Sequence, residues 1–119
     1  MELKFVAAQK PEAVDVTVQR RQRLVRRIDQ QIALLQTAKD GMLPRTSWVW
    51  IDDKGTYLVQ VRYGRHPLEF KKGMSAIQAD SVEHAQAVFA EVRSMVLSGA
   101  FDREIEVASK AIRARFAKS

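Results

Sequence analysis

Trp48-Val49-Trp50-Ile51-Asp52-Asp53-Lys54-Gly55-Thr56-Tyr57-Leu58-Val59-Gln60-Val61-Arg62-Tyr63 is the stretch that decides the fold class. Residues alternate on either side of a turn-forming centre, with the period of paired strands. From Thr46 to Asp52 the alternation sets Trp48 and Trp50 on one face, Val49 and Ile51 on the other. Asp52-Asp53-Lys54-Gly55 is turn chemistry, and Gly55 takes a positive φ at little cost. The return run sets Tyr57, Val59, Val61 and Tyr63 on one face, and Leu58, Gln60 and Arg62 on the other. A second turn, Gly64-Arg65-His66-Pro67, leads to a short strand in which Leu68 and Phe70 face together. Lys72-Gly73 closes that strand, and Ser75 to Ala79 offers a fourth. The pattern predicts a three- or four-stranded antiparallel meander.

Helical periodicity flanks it. From about Thr17 to Lys39, the residues Val18, Val25, Ile28, Ile32 and Leu35 fall on one stripe. Lys39 in the last turn, Gly41 as a left-handed terminator and Pro44 beyond predict where this helix stops. After the meander, Asp80 and Glu83 stand at capping-box spacing, with Asp in place of Ser or Thr. Val82, Ala85, Val88, Phe89, Val92, Met95 and Val96 then repeat at helical spacing up to Gly99. Asp102 is an N-cap candidate for a last helix that would bury Ile105, Ala108, Ile112 and Phe116. Lys110, Arg113, Arg115 and Lys118 sit toward its C-terminal end, where the helix dipole favours cations. The expected fold is α+β: an N-terminal helix, the meander, and two C-terminal helices packed on one sheet face. Residues 1–119 form one domain in this scheme, with 1–12 a loose arm or edge strand in which Leu3 to Ala8 is ended by Pro11.

Composition narrows the function classes. The 119 residues include 20 Lys plus Arg against 14 Asp plus Glu, and no Cys, so thiol catalysis, Fe–S clusters, zinc ribbons and disulfide frameworks are excluded. A hydrophobic fraction of 46% is too high for an intrinsically disordered chain. No apolar run approaches the roughly 20 residues of a membrane span, and Met1 to Pro11 lacks the apolar core of a signal peptide. A cytoplasmic location, away from membranes, is expected. The net charge of +6 arises wholly before residue 80, because residues 80–119 carry six basic and six acidic side chains.

Arg20, Arg21, Arg23, Arg26 and Arg27 fall within eight residues with no acid among them. On a helix they occupy the N-terminal half, where the dipole prefers anions, so the cluster costs stability rather than adding it. At about 100° per residue Arg20, Arg23 and Arg27 share one flank, while Arg21 lies nearer the apolar stripe. A cationic ridge of this kind suits phosphate contact, which releases counterions and adds sequence-independent affinity. The competing account is a solvated face whose arginines pair with Asp29, Glu12 or acids from another element. Trp48, Trp50, Tyr57 and Tyr63 could stack bases, but their alternation with the most apolar positions favours core packing under the helices. The opposite sheet face would then present Gln60, Arg62, Glu69 and Lys71, with Arg65 at the turn, a set able to read bases or to remain solvated. Lys71 and Lys72 would add to the phosphate contacts.

Enzymatic chemistry has no matching constellation. His66 and His84 are far apart with no metal-ligand pairing, and each of the five glycines sits at a turn or helix end rather than in a phosphate loop. Asp52-Asp53 lies in turn composition and offers too few oxygens for a divalent ion. No catalytic residue, metal or cofactor is expected.

Leu3-Lys4-Phe5-Val6-Ala7-Ala8, Arg20-Arg21, Leu24-Val25, Gln31-Ile32-Ala33-Leu34, Val59-Gln60-Val61-Arg62-Tyr63-Gly64, Leu68-Glu69, Lys72-Gly73 and Ala76-Ile77 together resemble a family of small uncharacterised basic proteins of proteobacterial phages and mobile elements. That resemblance spans almost the whole chain and implies a setting but no activity. Residues 56–102 also resemble the arm-site DNA-binding domain of tyrosine integrases, in which a three-stranded sheet backed by a helix reads DNA. This second resemblance implies roles for Gln60, Arg62 and Arg65. The chain departs from it at Leu68-Glu69-Phe70, which is short and acidic where that family has a basic, Gly-rich strand.

Two functions remain in view. One is a nucleic-acid-binding accessory protein of a phage or mobile element, DNA and RNA being equally open. The other is a phage-type inhibitor or adaptor that meets an acidic or nucleic-acid-receiving surface of a host protein complex, since carboxylate and phosphate both suit the guanidinium fork. Homodimerisation through the Val25, Ile28, Ile32 and Leu35 stripe is a third possibility for that helix face.

Overall fold

The computed structural model describes residues 2–8, 15–38 and 42–117. Helix α1 runs Val16–Thr37, capped by Asp15, whose carboxylate accepts from the Thr17 N–H at 2.8 Å. It ends earlier than the glycine terminator predicts: Ala38 is extended and its N–H returns to Leu35 O at 3.3 Å. Lys39, Gly41, Pro11 and Glu12 lie outside the described residues. Leu3 to Ala8 forms no strand, and Leu3, Phe5 and Val6 are exposed.

The sheet contains β1 (Val49–Ile51), β2 (Tyr57–Val59) and β5 (Ile77–Ala79), antiparallel in the order β1-β2-β5. A separate two-stranded hairpin, β3 (Arg62–Tyr63) with β4 (His66–Pro67), interrupts the meander between its second and third strands. Helices α2 (Val82–Ser98) and α3 (Asp102–Ala117) follow. Helix α2 covers the sheet at β2 and β5, α1 packs along α2, and α3 lies against α1 and the β3–β4 hairpin. The architecture is α+β, as expected.

The core lies where these layers meet. Phe89 of α2, Leu24, Ile28 and Leu35 of α1, Val59, Val61 and Leu68 from the strand region, and Ile105 of α3 are all sealed from solvent. The α1 stripe is therefore consumed inside the molecule: Val25, Ile28 and Leu35 are buried and Ile32 packs against them, which leaves no apolar seam there for a second copy.

One expectation about the sheet is overturned. Val59, Val61 and Tyr63 face the core and Tyr57 packs against it, but Trp50 does not join them and is exposed. The observed register pairs Val49 with Val59 and Ile51 with Tyr57, so Val49 is the core residue of β1. Trp50, Leu58 and Gln78 pair on the outer face. The cause is the turn. The Asp52 carboxylate accepts from the N–H groups of Lys54 and Thr56, both at 2.9 Å, and Asp52 N donates to Thr56 O. Asp52 thereby closes a connection one residue longer than a two-residue hairpin loop, and a one-residue slip exchanges the two faces of a strand.

Helix starts differ in detail. Ser81, not Asp80, caps α2 by accepting from His84 N at 3.0 Å, and His84 Nδ1 accepts from Asp80 N. Gly99, at φ 90°, ends α2 as predicted. Ile105, Ala108 and Ile112 of α3 face inward, whereas Phe116 is 75% exposed.

Candidate nucleic-acid interface

The α1 arginines divide between two faces. Arg21 projects toward the start of α3 and grips the Asp102 carboxylate with two donors, Nε on Oδ1 at 2.8 Å and Nη2 on Oδ2. The hydrogen-bonded guanidinium holds the Asp102 carboxyl below the usual carboxylate range, and the same contact raises Arg21 further. Gly99 makes room for this pair: a Cβ there would lie 2.8 Å from Arg21 Nη2 and 3.1 Å from Asp102 Oδ2. Arg21 is thus a clamp joining α1 to the α2–α3 corner, with its charge already matched.

Arg20, Arg23, Arg26 and Arg27 lie on the other flank, the last three exposed. They form one wall of a groove. At the N-terminal end of α1, Arg20, Arg23 and Arg26 share a hollow with Tyr63, Ser109 and Arg113. The next hollow brings Arg23 and Arg27 together with Arg62, Gly64, Ile112 and Arg113. Through Arg27 and Gly64 it continues into a third, lined by Arg65, Gln30, Gln31, Leu34 and Trp48. The opposite wall is the β3–β4 hairpin and α3. Its tip turns at Gly64, φ 63°, where a Cβ would come within 2.8 Å of Ile112 Cδ1, so glycine lets the hairpin seat closely on α3.

Among the described residues no carboxylate lines any of the three hollows. None of the groove arginines enters an ion pair among the described residues; Arg27 donates to Gln30 Oε1 at 3.5 Å and Arg62 to Gln60 Oε1 at 2.9 Å. Asp29, offered above as a partner for the cluster, instead receives Arg93 of α2 at 2.8 Å. The result is a cleft with guanidinium groups on both sides that form no ion pair among the described residues.

Not every candidate joins it. Gln60 lines none of the three hollows; its side chain orients Arg62 and its N–H donates to Trp48 O at 3.1 Å. Lys71 and Lys72 lie in a different hollow with His66, Glu69, Arg103 and Glu104, where Glu69 accepts from Gly73 N to close the tight turn. Two participants were not foreseen. Arg113 reads in sequence as a helix-dipole cation, and only the packing of α3 against α1 brings it to Arg23. Gln31 is 7% exposed and ties α1 to the lead-in of β1, accepting from Trp48 N at 2.7 Å and donating to Thr46 O at 3.0 Å. Nothing in the local sequence distinguishes it from its neighbour Gln30.

Among the described residues there is no cluster of three His, Asp or Glu side chains able to hold a metal, and no helix long and apolar enough to cross a membrane. Comparison with protein-family models, curated proteins and solved structures finds no match to the chain.

Proposed function

We propose that this protein binds nucleic acid through phosphate contacts in the arginine groove, as an accessory protein of a phage or mobile element. One observation carries the reading. Arginines from α1, from the β3–β4 hairpin and from α3 converge on one groove in which no acid lies among the described residues. Gathering like charges costs stability, so the arrangement calls for a compensating polyanion. The chemistry is binding rather than catalysis, and the contacts named here are to phosphate, which positions a nucleic acid without reading its sequence.

Anisotropy titrations of labelled DNA and RNA against the protein test this. If all seven groove arginines contact phosphate, log Kd against log salt has a slope of up to about 5 on a single strand and about 6 on a duplex. The double reversal Arg23→Glu, Arg27→Glu weakens every sequence alike and flattens that slope. Binding that barely changes between about 50 and 200 mM salt would overturn the phosphate account. Absence of binding at the lower salt would transfer the groove to an acidic protein surface, the reading that competes with this one.

A further inference from the structure

Resting on that proposal, we infer that the groove takes a single strand rather than a duplex, and that the hollow at its Trp48 end receives an unpaired base. Width argues first. Helices α1 and α3 touch, so the walls of the groove meet at its floor. A duplex, whose major groove alone is about 12 Å wide, cannot descend between them. One sugar–phosphate backbone can. Cations stand on both walls, Arg23 and Arg27 facing Arg62 and Arg113, so a single backbone is neutralised from two sides.

The character of the groove changes along its length. Beside Arg23, Arg27, Arg62 and Arg113 it gathers four cations over a floor and rim of Leu24, Tyr63, Ile112 and Phe116. Toward the C-terminal half of α1 it opens into a hollow of about 750 Å³, with Ala33, Leu34 and Trp48 as its apolar lining and Gln30 and Gln31 as its polar lining. Only Arg27 and Arg65 bring charge there. Trp48 is held from behind by Phe89, ring centroids 6.3 Å apart and planes at 56°, and its backbone N–H is fixed by Gln31. A fixed indole beside amide groups, reached along a cationic track, combines the two parts of a single-strand site: backbone charge and a stacking surface. The wall supplied by α1 from Val16 to Thr37 is about 30 Å long, enough for several nucleotides.

The test titrates a 12-nucleotide deoxythymidine oligomer and a mixed-sequence 12-base-pair duplex, compared at matched salt concentrations between about 50 and 200 mM. The protein carries Trp50→Phe, so that indole emission reports Trp48 alone; Trp50 is exposed on the outer sheet face, which spares the fold. The single strand should bind at least tenfold tighter than the duplex and quench Trp48 emission at saturation. Ala33 is exposed at the rim of the hollow, and Ala33→Phe fills the hollow with neutral bulk. That variant should lose about tenfold in single-strand affinity with an unchanged salt slope, because no phosphate contact is removed. Salt-dependent binding with equal or tighter affinity for the duplex, or with unmoved Trp48 emission, overturns the single-strand inference and leaves the phosphate proposal standing. No binding of either probe overturns both.

Discussion

Asp102 shows how one side chain can be chemically legible and still misassigned. An Asp at the start of a helix reads as an N-cap, and this one does open α3, yet its carboxylate turns outward to Arg21. The pairing explains why Arg21 differs from its four neighbours: at about 100° per residue it falls on the buried side of α1, beside the stripe that packs on α2. Because Arg21 depresses the Asp102 pKa, the ion pair stabilises the fold above the unfolded carboxyl value of about 3.9 and loses that contribution as pH falls through the lower folded value. Asp102→Asn should therefore unfold at lower urea than the parent at pH 7, with the gap closing toward pH 3. A gap that stays constant across that range would mean the carboxylate charge contributes nothing to stability.

At the scale of elements, the helices were readable because many residues vote for each of them. Val82 to Val96 repeats an apolar period over four turns, and no single misread position alters the outcome. The hairpin depended on one side chain. Its register rests on whether Asp52 spans two residues or closes the longer turn by accepting from both Lys54 and Thr56, a choice that local composition does not make. Aromatic residues at 48, 50, 57 and 63 then suggest a shared face that the longer turn forbids. Trp48 packs against the core just ahead of β1, where Gln31 holds its N–H and its carbonyl accepts from Gln60 N in continuation of the ladder. That dependence is testable. Gln31→Leu keeps the volume but strands the Trp48 N–H and the Thr46 carbonyl, and should cost about 1–3 kcal/mol in a urea melt. The same variant should shift Trp48 emission, since the indole loses its backbone anchor. A melt indistinguishable from the parent would show that water replaces the amide without loss.

Across the whole molecule, the site is a product of tertiary packing more than of any motif. The α1 cluster was visible as a run of arginines, but a run on a solvated helix would leave the same trace in sequence. What distinguishes the two is the far wall, and its residues lie roughly 40 and 90 positions away, at Arg62, Arg65 and Arg113. Periodicity cannot report such a convergence, because it carries no information about which helix lies against which. The same packing separates Lys71 and Lys72 from the groove although they follow Arg62 and Arg65 closely in sequence. Charge reversals at these two places therefore discriminate a groove from a diffuse basic surface. Arg113→Glu should weaken single-strand binding about as much as Arg23→Glu and lower the salt slope by about one contact. Arg113 is exposed and unpaired among the described residues, so its thermal midpoint should stay near the parent's. The double variant Lys71→Glu, Lys72→Glu removes twice the charge but from a separate hollow, where screening over about 10 Å at 0.1 M salt blunts its influence. It should leave affinity within about twofold and the slope unchanged. If the lysine pair instead matched Arg113→Glu in effect, affinity would follow total charge, and the convergence of α1, the hairpin and α3 would have no part in binding.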